Sequence, residues 1–136
     1  PPGTSDVSMT LAQDVMLSGV VIATTPQEVS LEDARKAVAM FDKLGVPILG
    51  LIENMSSEIF GIGGGEKAAE ELGLDYLGSI PLDKDIRVGS DAGIPLVTKS
   101  PDHPASITYI EIAQAIHEKC LMIKNETSSF VKRELT

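Results

Sequence analysis

Tryptophan is absent from the sequence, and cysteine is reduced to one residue, Cys120. A lone thiol excludes an internal disulfide and any metal site built from several thiolates of one chain. Basic residues are scarce, with 11 Lys and Arg against 20 Asp and Glu and a formal net charge of -9. That balance argues against a nucleic-acid partner held through its phosphates, which needs clustered cations. Long apolar runs are missing too. The longest, near Gly19 to Ala23 and Val46 to Ile52, are too short to span a bilayer, and no basic-then-apolar leader opens the chain. The expectation is a cytoplasmic, reducing setting without a membrane span. Only two histidines occur, His103 and His117, in no ligand spacing, so they read as surface residues and no metal site is expected. Cys120 reads as a buried, inert thiol.

What is present is an ordinary globular balance, 136 residues with 43% hydrophobic and 23% charged, enough for one domain and one core. The rigid Pro1-Pro2-Gly3 turn leads through Thr4-Ser5 to Asp6, which can cap a helix reaching about Leu17. Gly19 to Thr24 is a β-branched apolar run, the pattern of a strand buried on both faces. Ser30 and Asp33 make a capping pair for a helix whose apolar face is Leu31, Ala34, Val38, Phe41 and Leu44, closed by Gly45. Val46 to Ile52 is the second strand, with Pro47 near its start, running out at Glu53-Asn54-Met55-Ser56.

Residues 57–65 form a loop containing Gly61, Gly63, Gly64 and Gly65, and Glu66 to Leu72 is a short helix ended by Gly73. A glycine cluster at a helix start can bind an anion through free N–H groups, or it can be a plain turn. With no basic residue before it, the turn is the favoured reading. Tyr76 to Ile80 is a third strand, met at once by Pro81. Asp83 to about Ser90 reads as a helix, Gly93 to Pro104 as an extended crossing segment. A last helix from about Ser106 to Ile123 carries the stripe Tyr109, Ile112, Ala113, Ile116 and Cys120. Residues 1–124 thus form one α/β unit, and 125–136 read as a polar, frayed tail.

Alternating strands and helices require crossover connections, hence a parallel sheet with helices on both faces. Three strands are few for such a sheet, which points to central strands upstream of Pro1. Ligands of open parallel sheets sit beyond the carboxyl ends of the strands. The segments there are Thr24-Thr25-Pro26-Gln27, Glu53-Asn54-Met55-Ser56 and Pro81-Leu82-Asp83. Asn54 can offer both its amide N–H and C=O to a purine edge, and Pro81 a flat apolar face; each taken alone is more often a loop-building residue.

Several stretches in order carry a resemblance: PPGTSD, VVIATTPQEVSLEDARKAVAMFDKLGVPILGLIENMS, IFGIGGGEKAAEELGL, LGSIPLDKDIR and SDAGIPLV. They resemble the C-terminal part of the Mrp family, MinD/ParA-like P-loop ATPases that bind and transfer iron-sulfur clusters. The resemblance implies a P-loop NTPase fold, ATP with Mg2+, a [4Fe-4S] cluster, a homodimer that bridges the cluster, and iron-sulfur apo-protein recipients. It assigns Pro2 and Gly3 to the switch that senses the γ-phosphate, and Asn54 and Pro81 to the adenine. No catalytic residue falls within the chain.

Three departures from the family pattern stand out. The GKGGVGK[ST] loop and the Walker B aspartate would lie upstream, so this stretch alone is expected to be inactive, although the resemblance implies that the parent is an ATPase. Ser5 stands where the family usually has a second glycine. The Cys-x-x-Cys common between NMS and IFG is replaced by a direct join of Ser57 to Glu58, so cluster ligands are absent. A second reading, a non-catalytic α/β interaction module that has lost the loop and the thiols, stands beside the carrier ATPase.

Overall fold

The β-branched run after Gly19 does form a strand, β1 (Val20–Thr24), and two more follow it, β2 (Ile48–Ser56) and β3 (Tyr76–Pro81). The computed structural model describes residues 5–134, with side chains described through residue 124. Pro2 and Gly3 lie outside the described residues, and the expected polar tail lies outside those with described side chains. The strands pair in parallel in the order β1-β2-β3. Helices α1 (Asp6–Asp14), α2 (Glu28–Lys43), α3 (Gly64–Leu72), α4 (Lys84–Asp91), α5 (Leu96–Lys99) and α6 (Pro104–Glu134) complete the order. Among the described residues, no helix is long and apolar enough to cross a membrane.

Alternation along the strands places a core on each face of the sheet. On one face Ile22 and Leu51 pack with Leu31, Ala34, Ala37 and Phe41 of α2 and Ala68 and Ala69 of α3. On the other, Ile52 and Ile80 meet Ile112 of α6, with Ile86 and Tyr109 packed around them. Leu51 is fully buried, and burying one such side chain stabilises by about 2 kcal/mol. The alternation shifts once. Val20 pairs with Ile48 and Val21 with Gly50, so Leu49 is an extra residue on β2. Gly50 follows it at φ 149, where a Cβ would lie 2.5 Å from the Asp75 carbonyl oxygen. Only glycine suits that position.

Several boundaries differ from expectation. The cap of α1 is Ser5, whose side chain accepts the Ser8 N–H at 3.3 Å, and not Asp6, which is the first helical residue. That helix ends before Val15, whose backbone is extended, and so does not reach Leu17. Ser30 caps nothing: its Oγ accepts from the Thr25 hydroxyl at 2.8 Å, while the carbonyl of Gln27 receives the Ser30 and Leu31 N–H groups. α2 therefore begins at Glu28. Pro47 stands just outside β2, offering its carbonyl to the Val20 N–H at 2.8 Å, and the strand continues to Ser56. The segment after Gly93 is not wholly extended, since Pro95 presets the backbone for the single turn of α5. Pro104, taken as punctuation, is the first residue of α6, where a missing N–H does no harm. Ala113 faces solvent, off the apolar stripe, and Cys120 is half-buried rather than buried.

Among the described residues β1 pairs with β2 alone, leaving its outer edge without a ladder. A cavity of about 610 Å³ lies along β1, walled by Leu11, Val20, Ile22 and Phe41 and reaching Thr24 and Asn54.

Candidate functional site

Across the carboxyl ends of the strands, Thr24, Glu53 and Ser79 stand in register, with Glu53 between the other two. Glu53 has no accessible surface. A carboxylate can be buried only if its oxygens are supplied with donors. Oε2 accepts the Gly65 N–H at 2.7 Å, and Oε1 accepts the Gly63 N–H at 3.1 Å and the Ser79 hydroxyl at 3.4 Å. Burial pushes the carboxyl up, but the hydrogen bonds from Ser56, Gly65, Gly63 and Ser79 outweigh it and hold it below its ordinary value. The same charge, with that of Glu66, adds to burial in raising the Tyr76 hydroxyl.

The glycine cluster is thereby explained, and as neither of the two readings expected of it. Its N–H groups are aimed at an anion at the positive end of α3, but the anion is the protein's own Glu53. Gly63 holds a left-handed φ of 82 at the helix cap. Gly64 lies so close to Pro26 that a Cβ would stand 2.6 Å from that carbonyl oxygen.

Asn54, the next residue after Glu53, is half-buried, and its Oδ1 accepts the Met55 N–H at 2.9 Å. That bond sets which way the amide points, leaving its NH2 as the donor at the mouth of the sheet. Met55 has φ 56, a left-handed backbone seldom adopted by a residue with a side chain. Beyond it the ladder shifts, and Ser56 pairs with Pro81, with the Leu82 N–H donating to the Ser56 carbonyl at 3.0 Å. Asn54 and Pro81 thus occupy neighbouring strands at one end of the sheet. Of the other segments there, Thr25 ties to α2 through Ser30, and Asp83 caps α4 by accepting the Asp85 N–H at 2.7 Å.

His117 is exposed as expected, but His103 is not a free surface residue. Its Nδ1 accepts the Ala105 N–H at 3.2 Å, and its Nε2 lies 3.7 Å from Asp83 and 3.8 Å from Asp85. These three side chains bring ligand atoms within 4.8 Å of one another. Nδ1 is bonded at the start of α6, while Nε2 faces the acids at the start of α4 from beyond hydrogen-bond distance.

Glu53, Ser79 and His103 were missed in the sequence. The signal for Glu53 was a lone acid directly after five apolar residues, ten positions ahead of a glycine cluster.

Comparison with known proteins adds to this geometry. Residues 1–117 match the ParA family model for the NUBPL iron-transfer P-loop NTPase. The chain is 46% identical over 126 residues to the Arabidopsis thaliana protein named iron-sulfur protein required for NADH dehydrogenase, mitochondrial, covering 85% of this chain and 40% of that one. It is 44% identical to an iron-sulfur cluster carrier protein of Synechocystis, covering 90% and 38% respectively. It is 40% identical to the Dictyostelium discoideum iron-sulfur cluster transfer protein NUBPL, covering 93% and 42%. The chain therefore spans about two fifths of the length of these relatives. Among solved structures, the cell division ATPase MinD of Pyrococcus furiosus superposes with a TM-score of 0.67 at 27% identity, over 74% of this chain and 43% of that one. The Pyrococcus horikoshii septum site-determining protein MinD, complexed with Mg-ADP, gives 0.65 at 30% identity, over 73% and 41%. With the parallel sheet, the strand-end loops and the match across most of its length, the chain belongs to the ParA family of NUBPL-type iron-transfer P-loop NTPases.

Proposed function

We propose that this chain supplies the base-binding side of the nucleotide site in an ATP-dependent iron-sulfur cluster carrier. The observation that supports this is that Asn54 and Pro81 lie on adjacent strands, Pro81 paired with Ser56 two residues beyond Asn54, at the carboxyl end of a parallel sheet, where nucleotides bind in such folds. The Asn54 NH2 donates to a ring nitrogen and Oδ1, which keeps the Met55 N–H on one lone pair, accepts from the adenine amino group on the other, while Pro81 lies against a face of the base. The phosphate side needs a lysine-bearing glycine loop and a magnesium-binding acid, and the 136 residues contain no Gly-Lys-Ser or Gly-Lys-Thr. Pro2 and Gly3 are proposed to sense the γ-phosphate.

The cluster is cargo, passed to iron-sulfur apo-proteins by a homodimer. The residues of this stretch do not fit it: a [4Fe-4S] unit takes about four thiolates, and two copies offer only their two Cys120 side chains. No step is therefore assigned to the cluster within this stretch. We propose a cytoplasmic placement, which a single reduced thiol suits, while the Arabidopsis relative is named as mitochondrial.

The test is calorimetric titration of the full-length protein. Asn54→Ala is expected to weaken ATP by about 1–3 kcal/mol, the cost of lost base hydrogen bonds. It should weaken a nucleotide lacking the exocyclic amino group less. Equal loss for both removes Asn54 from the base site.

A further inference from the structure

A buried carboxylate in the middle of a sheet is costly unless donors surround it, so its presence calls for a reason beyond filling space. Glu53 is such a residue, without accessible surface and so unable to touch a ligand itself. Its position along β2 indicates its use. It is the last residue of that strand paired regularly on both sides, to Thr24 and to Ser79. The next paired residue is Ser56, after a shift in register, so Asn54 and Met55 form a two-residue irregular step. Within that step Met55 holds its left-handed φ of 56 and Asn54 its bond to the Met55 N–H. A strained step of this kind persists only when its flanks are held.

On the far side the flank is the Leu82 N–H on the Ser56 carbonyl. On the near side it is Glu53, tied at once to β3 through Ser79 and to α3 through Gly63 and Gly65. Those last two bonds also fold the loop 57–63 back against the strand end, where Ser57 and Gly61 bridge.

We propose that Glu53 is a positioning residue for the nucleotide base: its clamped carboxylate sets the backbone from which Asn54 projects. This rests on the base-site reading given above. Asn54 is the group that meets the base, and Glu53 acts only through it.

The experiment is a double-mutant cycle in the full-length protein, with ATP and GTP dissociation constants for wild type, Glu53→Gln, Asn54→Ala and the double variant. Glu53→Gln keeps the volume and loses the charge. It is expected to narrow the ATP-over-GTP preference about tenfold, by analogy with the loss of an outer partner of a metal ligand. The double variant should be no worse than Asn54→Ala alone. A merely structural Glu53 would lower the melting temperature with the preference intact, or would add its effect to that of Asn54→Ala, and either result overturns the proposal. If Asn54→Ala itself leaves the preference unchanged, the base-site reading falls and this inference with it, a different outcome from the failure of Glu53 alone. Should Glu53→Gln not fold, Ser79→Ala removes one donor from the same carboxylate and is expected to narrow the preference about threefold; no change there overturns the proposal.

Discussion

Glu53 Oε2 and the Gly65 N–H meet at 2.7 Å, and a Cβ on Gly65 would stand 2.9 Å from Glu53 Cβ and 3.2 Å from Oε2. The contact and the glycine are one feature: the helix start can reach the carboxylate only because residue 65 has no side chain. Gly63, ten residues after Glu53 and bonded to its other oxygen, is glycine for a different reason, its φ of 82 with open space around it.

The two glycines should therefore respond differently to substitution. Gly65→Ala puts a methyl group against the Glu53 stem and is expected to destabilise by about 1–2 kcal/mol, overpacking outweighing the gain in helix propensity. Gly63→Asn, which tolerates the left-handed region, should cost well under about 1 kcal/mol. Urea unfolding of both variants decides it; equal costs would show that the close approach at Gly65 is relieved by movement of the strand.

The Glu53 carboxyl is held below its ordinary value of 4.5. A depressed carboxylate stabilises the fold at all pH above the unfolded value and loses that contribution as pH falls through the folded one. Wild type should exceed Glu53→Gln in stability by about 1–2 kcal/mol at neutral pH. The two curves should converge below pH 4.5. Melting temperatures recorded from neutral to acid pH check this, and parallel curves would mean that Glu53 titrates normally.

The 136 residues alone are expected not to hydrolyse ATP, because phosphoryl transfer needs a lysine and a magnesium ion that they do not position. A steady phosphate-release assay reads this directly. Turnover abolished by a metal chelator would locate a complete phosphate site within the chain.

Anaerobic reconstitution of the same chain with iron and sulfide is expected to give no stable visible absorbance, with Cys120→Ser no different from wild type. Cys120 is half-buried on α6, and one thiolate per chain falls short of a cluster's needs. Absorbance that forms and is lost with Cys120→Ser would make that thiol a ligand.

Much of the fold was legible because the signals were local. Val20 to Thr24 is β-branched without interruption, Gly45 and Gly73 end helices where a left-handed φ is needed, and Leu31, Ala34 and Phe41 keep helical spacing. The Leu49 bulge was not legible, since every residue from Val46 to Leu49 is apolar and any register satisfies an apolar run. The candidate site was half legible. Asn54 and Pro81 could be placed at strand ends by counting. Glu53 could not be joined to its donors, because Gly63 and Gly65 are brought to it by the fold, 10 and 12 residues on. His103 escaped for the same reason, its acidic neighbours lying across two short helices. Ser5, a departure from the family's usual glycine, proves to be the oxygen that caps α1.

The unpaired outer edge of β1 sets how this chain behaves in concentrated solution. Val20-Val21-Ile22-Ala23-Thr24 has no charge and no proline, and on that side its backbone donors and acceptors meet no strand among the described residues. Such an edge is a template for another extended segment, and natural proteins guard theirs with lysine or proline. Self-association of the 136-residue chain is thus expected to grow with concentration and to start from this strand. The net charge of -9 opposes it through repulsion between copies, so added salt, by screening that charge, should promote clouding rather than relieve it.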